Sequence, residues 1–288
     1  MQEPPLILVS LVADLQLNQA CGLWLKGGRY RLVPSPVPLT AGEPLDASAL
    51  DSALVEADAV LIEQGVLPQA AFAHWLERGL RLPAVVIGVV SGRIEYHEAE
   101  VHLPPDQLEQ LSYSLDAAFA RILGQDLQQP ESEPSGNAEV AEGWKLGNRL
   151  KDRLGLLGVF YKRDPDRFLR QLPDQERQEL LRSLERTYRD LLLSYFRDPA
   201  AANQALESFV NTAFFSDLPI TKTVEIHMNL IDGFSKQLKL EGHRTEFLQD
   251  YRLALLDVMA HLCEMYRRSI PADAPIALPS SGGLELAP

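Results

Sequence analysis

The sequence predicts an α/β half followed by an all-α half. In residues 1–125, five short apolar runs alternate with helical stretches, the pattern of a parallel sheet with helices on its faces. In residues 144–271, apolar residues recur at three- and four-residue spacing, the pattern of packed helices. Residues 126–143 are polar and rich in proline, serine and glycine, which predicts a flexible linker.

The first half divides into five predicted strands. Asp14 is placed to cap a helix after the first strand, and Gln107 to Leu123 is the closing helix. Strands that alternate with helices through right-handed crossovers predict a doubly wound, flavodoxin-like sheet. The strands are Leu6 to Val12, Tyr30 to Val33, Asp58 to Glu63, Pro83 to Gly88 and Val101 to Leu103.

The second half predicts a four-helix bundle with short connections. A further helix, Lys145 to Leu157, precedes the bundle, and Asp164 followed by Pro165 is the signature of a helix start. Residues 272–288 are predicted to be a disordered tail, because proline, alanine, serine and glycine dominate there. The four long helices are Pro173 to Phe196, Ala200 to Phe214, Ile220 to Leu240 and Arg244 to Ile270.

The last of these helices carries two adjacent rows of mainly apolar side chains over residues 250–270. One neighbour cannot cover so wide an apolar surface, so we expect the first row to face the bundle and the second to face another chain or a peptide. Cys263 is expected to be a small buried hydrophobe. The first row is Tyr251, Leu255, Val258, Leu262, Met265 and Ser269; the second is Leu253, Leu256, Ala260, Cys263 and Arg267.

Composition excludes several classes of function. The net charge of −13 argues against non-specific binding to nucleic acid or anionic membranes. Two cysteines without a pairing pattern, and no apolar run of membrane length, predict a cytoplasmic protein. His74, His97 and His102 lack metal-ligand spacing, and the bundle has no Glu-x-x-His motif. The sequence therefore predicts no metal, no cofactor and no enzyme, and a bundle metalloenzyme is disfavoured.

The first half resembles the receiver domain of two-component signalling in its strand pattern, but it lacks the receiver's catalytic residues. Ser10 to Ala13 replaces the acid pair, Glu63 stands at the phosphoacceptor position, and Lys26 is the only lysine before Lys145. Without these groups, Mg²⁺ binding and phosphoryl transfer cannot proceed. We therefore expect a pseudo-receiver, although Glu63 is equally compatible with a plain surface carboxylate. A response regulator with a degenerate receiver and a helical output domain is the alternative function.

Four stretches of the second half resemble the KaiA family of circadian clock proteins of cyanobacteria. They are LGVFYKRDPDRFLR (157–170), AFFSDLPITK (213–222), VEIHM (224–228) and AHLCEMYRRSIP (260–271). The resemblance covers nearly the whole second half. The first half matches only in architecture and in scattered stretches such as residues 107–111.

This resemblance implies a regulator without catalysis of its own. It implies a homodimer, formed through the C-terminal bundle, that binds the C-terminal tail of the ATPase and kinase KaiC and stimulates KaiC autophosphorylation, with KaiB opposing this. It also links the first half to quinone sensing, although no residue here specifies quinone. The expected partner-binding residues are Asn211, Phe214, Asp217, His261, Cys263 and Glu264. The expected bundle and dimer residues are Phe160, Phe168, Leu255, Leu262 and Met265.

Three of these residues also have plain structural interpretations. Without the resemblance, His261 is better explained as a helix histidine that pairs with Asp257 or Glu264. Phe214 is more often a core residue than a contact, and Asp217 is a possible cap for the following helix.

Overall fold

The computed structural model describes residues 5–40, 46–126 and 163–270, apart from the side chains of residues 125, 126, 246 and 247. The α/β half contains β1 (Leu6–Leu11), α1 (Leu15–Trp24), β2 (Tyr30–Pro34), α2 (Ser48–Glu56), β3 (Ala59–Glu63), α3 (Gln69–Glu77), β4 (Ala84–Ile87), β5 (Val101–Leu103) and α4 (Leu111–Asp126). The helical half contains α5 (Asp174–Ser194), α6 (Pro199–Phe215), α7 (Ile220–Leu240) and α8 (Arg252–Ser269).

The five strands form one parallel sheet in the order β2-β1-β3-β4-β5. Every residue of β4 is buried, and in β3 only Glu63 is partly exposed. Strands covered on both faces need continuous apolar side chains, which explains why these runs show no alternation. The predicted parallel α/β arrangement is confirmed.

The predicted cap of α1 is also confirmed. Asp14 accepts hydrogen bonds at Oδ1 from the amides of Gln16, at 2.7 Å, and Leu17, at 3.1 Å. These amides have no partner within the helix, so the cap satisfies groups that would otherwise need water. After the helix, Gly27 has a φ of 78°, a conformation that a side chain would strain.

In the helical half, α5 packs against α6 and α7, and α6 packs against α8. Tyr188 of α5 lies at the centre, with its ring edge-on to Phe209 of α6. Its hydroxyl lies 3.1 Å from Nδ1 of His227 on α7. Burial lowers the pKa of His227, because the charged ring would lose its hydration, so the bundle holds this histidine in its neutral form.

The last helix is shorter than predicted. Glu246–Tyr251 forms a 3₁₀ helix, and α8 begins at Arg252, so the prediction of one helix from Arg244 is wrong. A tight 3₁₀ turn changes the direction of the chain, and over six residues its hydrophobic period cannot be separated from that of an α-helix. At the other predicted start, Asp164 caps a 3₁₀ turn, Pro165–Arg167, through the amide of Asp166 at 3.1 Å.

Several predictions lie outside the described residues. They are the helix Lys145 to Leu157, the linker beyond residue 126, the placement of Phe160, and the tail from residue 272. No helix within the described ranges is long and apolar enough to cross a membrane.

The two halves meet where the 3₁₀ turn Leu108–Gln110 packs against α5 and α4 packs against α6, and a seam of buried polar side chains lies within this contact. At its centre, the fully buried Gln110 donates from Nε2 to Ser183 Oγ at 2.6 Å and to Thr187 Oγ1 at 2.8 Å. Thr212 Oγ1 donates to Gln110 Oε1 at 2.8 Å. At the edge, Arg121 pairs with Glu207 at 2.7 Å. One buried amide therefore connects three hydroxyls of the bundle to the sheet domain.

Replacing Gln110 by alanine should lower the free energy of unfolding by about 2 kcal/mol, because the hydroxyls of Ser183, Thr187 and Thr212 lose their amide partner in a buried site. The change is measured by urea denaturation of the full chain. Gln178→Ala, on the exposed side of α5, is the matched control. Equal stability of the two variants contradicts the assigned role of the seam.

Candidate functional site

Glu63 lies at the edge of the sheet where a receiver domain has its phosphoacceptor residue, and it binds the loop between β1 and α1. Its Oε2 accepts hydrogen bonds from the amides of Ala13, at 2.8 Å, and Asp14, at 2.9 Å. Beside it, Gln64 Oε1 accepts from the amide of Val89 at 2.8 Å. Ligands of open α/β sheets usually bind at this edge, where the strand order reverses between β1 and β3. The two hydrogen bonds to Glu63 hold the β1–α1 loop against β3. Glu63 therefore has a structural role that a plain surface carboxylate lacks.

The three histidines of the sheet domain contact three different groups. His97 Nε2 lies 2.7 Å from the carbonyl oxygen of Leu82, and His102 Nε2 lies 2.7 Å from Glu100 Oε1. His74 Nε2 lies 3.3 Å from Asp51 Oδ2. Among the residues that the structure describes, no group of three or more His, Cys, Asp or Glu side chains is arranged to hold a metal ion.

Helix α8 divides its side chains between the bundle and the surface. Val258 and Leu262 are fully buried, and Met265 packs against the core. In the second row, Leu253 is 46% exposed and Leu256 is 61% exposed. The first predicted row therefore faces the bundle, and the second row lies on the surface of the single chain.

The structure corrects one expectation for α8, the burial of Cys263. Cys263 is exposed, so its expected role as a small buried hydrophobe is wrong. It lies on the outward row one turn after Ala260, and that row does not face the bundle. His261 belongs to a narrow, mainly polar strip with Asp250, Ala254, Asp257, Glu264 and Arg268, and in that strip Ala254 is fully buried.

His261 lies exposed in that strip and contacts its own helix. Its Nδ1 lies 2.8 Å from the backbone carbonyl oxygen of Asp257, an acceptor, so Nδ1 carries the hydrogen. The expected structural partners were the side chains of Asp257 and Glu264, whereas the observed partner is backbone. In the neutral ring, Nε2 is then an acceptor. His261 can accept a hydrogen bond from a donor outside the chain.

Glu264 is engaged by two neighbouring cations. Its Oε1 lies 2.6 Å from Arg267 Nη2 and 2.7 Å from Arg268 Nε. Hydrogen bonds from these two arginines lower the pKa of Glu264 to about 2. A partner that contacts Glu264 therefore meets an ion-pair cluster of both signs at the end of α8.

An aromatic cluster near the start of α8 was not predicted from the sequence. It consists of Tyr195 and Phe196, at the end of α5, and Tyr251. The ring of Phe196 is 53% exposed and lies edge-on to Tyr195 and Tyr251, with centroid separations of 4.9 and 5.1 Å. The Tyr195 hydroxyl donates to the carboxylate of Asp257, one turn before His261. Burial and that carboxylate raise the pKa of Tyr195 to about 12. The sequence did contain a signal for this cluster, because the aromatic pair Tyr195-Phe196 lies directly before the helix break at residues 197–199.

The candidates at the end of α6 lie partly beneath the surface. Phe214 is fully buried, so it is not an exposed anchor, and Asn211 is buried while its Nδ2 donates no hydrogen bond to the described residues. Asp217 forms an ion pair with Arg163 at 2.8 Å. Helix α7 has no side-chain cap, so Asp217 does not serve as one. Phe168 is buried beside this group, in line with its expected place in the bundle.

Comparisons with known proteins agree across both halves. The family model described as "Circadian clock protein KaiA, N-terminal domain" matches residues 6–125, and the model described as "KaiA C-terminal domain" matches residues 152–273. A circadian clock oscillator protein KaiA from Parasynechococcus marenigrum (strain WH8102) is 56% identical over 98% of this chain and 95% of that protein. The chain belongs to the KaiA family. The resemblance inferred from four stretches of the second half is thus confirmed, and it extends to the first half.

Other relatives have the same description. KaiA from Synechococcus elongatus (strain PCC 7942) is 46% identical over 68% of this chain and 74% of that protein. The crystal structure of the C-terminal domain of Thermosynechococcus elongatus BP-1 KaiA is 51% identical in sequence, covers 35% of this chain and 93% of that one, and has a TM-score of 0.32. The relatives are named as clock oscillator proteins, not as enzymes.

The arrangement around Glu63 generates a prediction about phosphorylation. Incubation with acetyl phosphate and Mg²⁺ should leave the intact mass of the protein unchanged, because Glu63 is bonded to two amides and no lysine follows β5 in this domain. An active receiver domain under the same conditions serves as the positive control. A phosphoryl group on Glu63, or elsewhere in residues 5–126, contradicts the pseudo-receiver interpretation.

Proposed function

We propose that this KaiA-family protein is a homodimeric clock regulator that binds the C-terminal tail of KaiC and stimulates KaiC autophosphorylation, with KaiB opposing it. The observation that carries the proposal is the family match over residues 152–273, which includes all six candidate partner-binding residues. We also propose that the protein acts in the cytoplasm and that stimulation requires no cofactor. Quinone binding by the first half stays a prediction.

The dimer is proposed from the apolar side chains that one chain leaves uncovered. On α7, Ile220 and Val224 are partly exposed at four-residue spacing, and Met228 is 58% exposed. On α8, Leu253 and Leu256 are exposed in the same way. Rows of exposed apolar side chains favour an interface, and a two-fold dimer covers the same surface on both copies. A second copy placed against the four-helix bundle therefore removes these side chains from water.

The tail-binding surface is proposed beside that interface. His261 offers an acceptor at Nε2, and the exposed ring of Phe196 offers an aromatic contact in the cluster whose Tyr195 donates to Asp257, one turn before His261. Aromatic anchors with a few polar contacts are the usual source of binding energy at such surfaces. A peptide held in a groove between the helices of two subunits satisfies both requirements. Binding the released form of the tail withdraws it from an inhibiting conformation, which is a population shift.

The first half is proposed to be a flavodoxin-like pseudo-receiver that docks or senses without phosphoryl transfer. The strand order β2-β1-β3-β4-β5 supports the flavodoxin-like assignment. The hydrogen bonds between Glu63 and the β1–α1 loop support the absence of phosphoryl transfer.

The proposed function is tested by mixing the protein with KaiC, ATP and Mg²⁺ and measuring phosphorylated KaiC over time. Phosphorylation should rise above that of KaiC alone, and the absence of a rise refutes the proposal.

His261→Ala should weaken binding of a KaiC tail peptide about tenfold, or ~1.4 kcal/mol, through loss of one polar contact. His243→Ala, which removes an exposed histidine beyond α7, is the matched control. If the two variants bind the peptide equally, His261 has only a structural role.

A further inference from the structure

The guanidinium of Arg163 lies in a cage that three aromatic rings and a carboxylate build. Its Cζ lies 5.2 Å from the ring centroid of Phe168, 4.9 Å from that of Phe214 and 5.3 Å from that of Tyr266. Its Nη1 donates to Asp217 Oδ1 at 2.8 Å and lies 3.4 Å from the carbonyl oxygen of Phe214. The four walls come from the segment before α5, the end of α6, the turn after it and the last turns of α8.

The chemistry of this cage suits arginine and not lysine. A guanidinium is a plane, so its faces can lie against rings while its edge donates to an oxygen acceptor. An ammonium group is a strongly hydrated point charge that has no planar face to lie against the rings. A nearby arginine shows the ordinary case, because Arg170 lies over the ring of Phe168 alone, at 5.5 Å.

The turn between α6 and α7, which supplies the carboxylate of the cage, has an unusual backbone conformation. Asp217 has a φ of 54°, and it is the only non-glycine residue with positive φ among those the structure describes. Most L-residues pay roughly 1–2 kcal/mol in this region, and aspartate is one of the few that occur there. The amide of Leu218 donates to the carbonyl oxygen of Ala213 at 2.9 Å and closes the turn. Arg163 binds the Asp217 side chain and lies near the Phe214 carbonyl, so it contacts both ends of the strained segment.

We propose that Arg163 is a positioning residue that locks the α6–α7 turn against the end of α8. It acts through Phe214, Asp217 and Tyr266, and it does not itself contact the partner. The ring of Tyr266 lies 5.0 Å from that of Phe214, so the lock also fixes the half of α8 that carries His261. This last consequence rests on the proposed function. The cage explains how the buried Phe214 supports partner binding without reaching the surface.

The lock is tested first without any partner. In the full chain, Arg163→Gln should speed hydrogen exchange at the amide of Leu218 at least tenfold, since the turn opens more often once its cation is removed. Arg170→Gln, which removes a guanidinium from one ring only, should leave that exchange rate unchanged. Equal exchange in Arg163→Gln, Arg170→Gln and the wild type overturns the proposal.

A chemical rescue separates the cage from general destabilisation. In Arg163→Ala, millimolar ethylguanidinium should slow exchange at Leu218 again, whereas ethylammonium should not. Rescue by neither cation, or equally by both, contradicts an arginine-specific site. If Arg163→Ala does not fold, Arg163→Lys replaces it, with exchange expected to match Arg163→Gln because an ammonium cannot stack on three rings.

The link to partner binding has its own readout. Arg163→Gln should bind the KaiC tail peptide about tenfold more weakly than Arg170→Gln. Equal affinities, with wild-type binding intact, overturn the link but not the lock. If the wild type binds no tail peptide, the proposed function and the link both fail, while the exchange measurements still decide the lock.

Discussion

The structure depends on how α8 divides its apolar side chains between two environments. Val258 and Leu262 fill the bundle, whereas Leu253 and Leu256, on the neighbouring row, lie exposed in the single chain. Full burial of a leucine contributes ~1.5–3 kcal/mol, so an uncovered row forgoes a large part of the stability available to a small bundle. In the proposed dimer, a second copy covers that row. The proposed tail-binding surface around His261 lies on the same helix, which is why dimer and tail binding belong to one proposal.

The polar seam between the two halves and the exposed apolar rows of α7 and α8 have different roles. Gln110 and its hydroxyl partners join the two halves through groups that water can satisfy if the seam opens. Interfaces between domains of one chain are commonly polar in this way, and interfaces of permanent dimers are more apolar. The leucines of α8 match the second type.

Local signals in the sequence predicted the elements well. The Asp14 cap, the continuous apolar runs of β3 and β4, and α7 from Ile220 to Leu240 each follow from residues within one turn or one strand. The 3₁₀ turn before α8 was missed, because six residues cannot distinguish the two helical periods. Contacts between distant residues were also missed. Gln110 meets Thr212 across 102 residues, and Arg163 meets Tyr266 across the bundle. Neither pairing has a local signature, and the outward position of Cys263 depends on which row the bundle covers.

The central claim, that a second copy covers the apolar rows of α7 and α8, is tested most directly by sedimentation equilibrium of the full chain. The wild type should have twice the chain mass of 32.1 kDa. The double variant Leu253→Asp, Leu256→Asp should have the single-chain mass, because two buried carboxylates would lose their hydration in the interface. Leu23→Asp, at an exposed position of α1, should remain dimeric. A monomeric wild type, or a double variant that remains dimeric at the same concentration, contradicts the account.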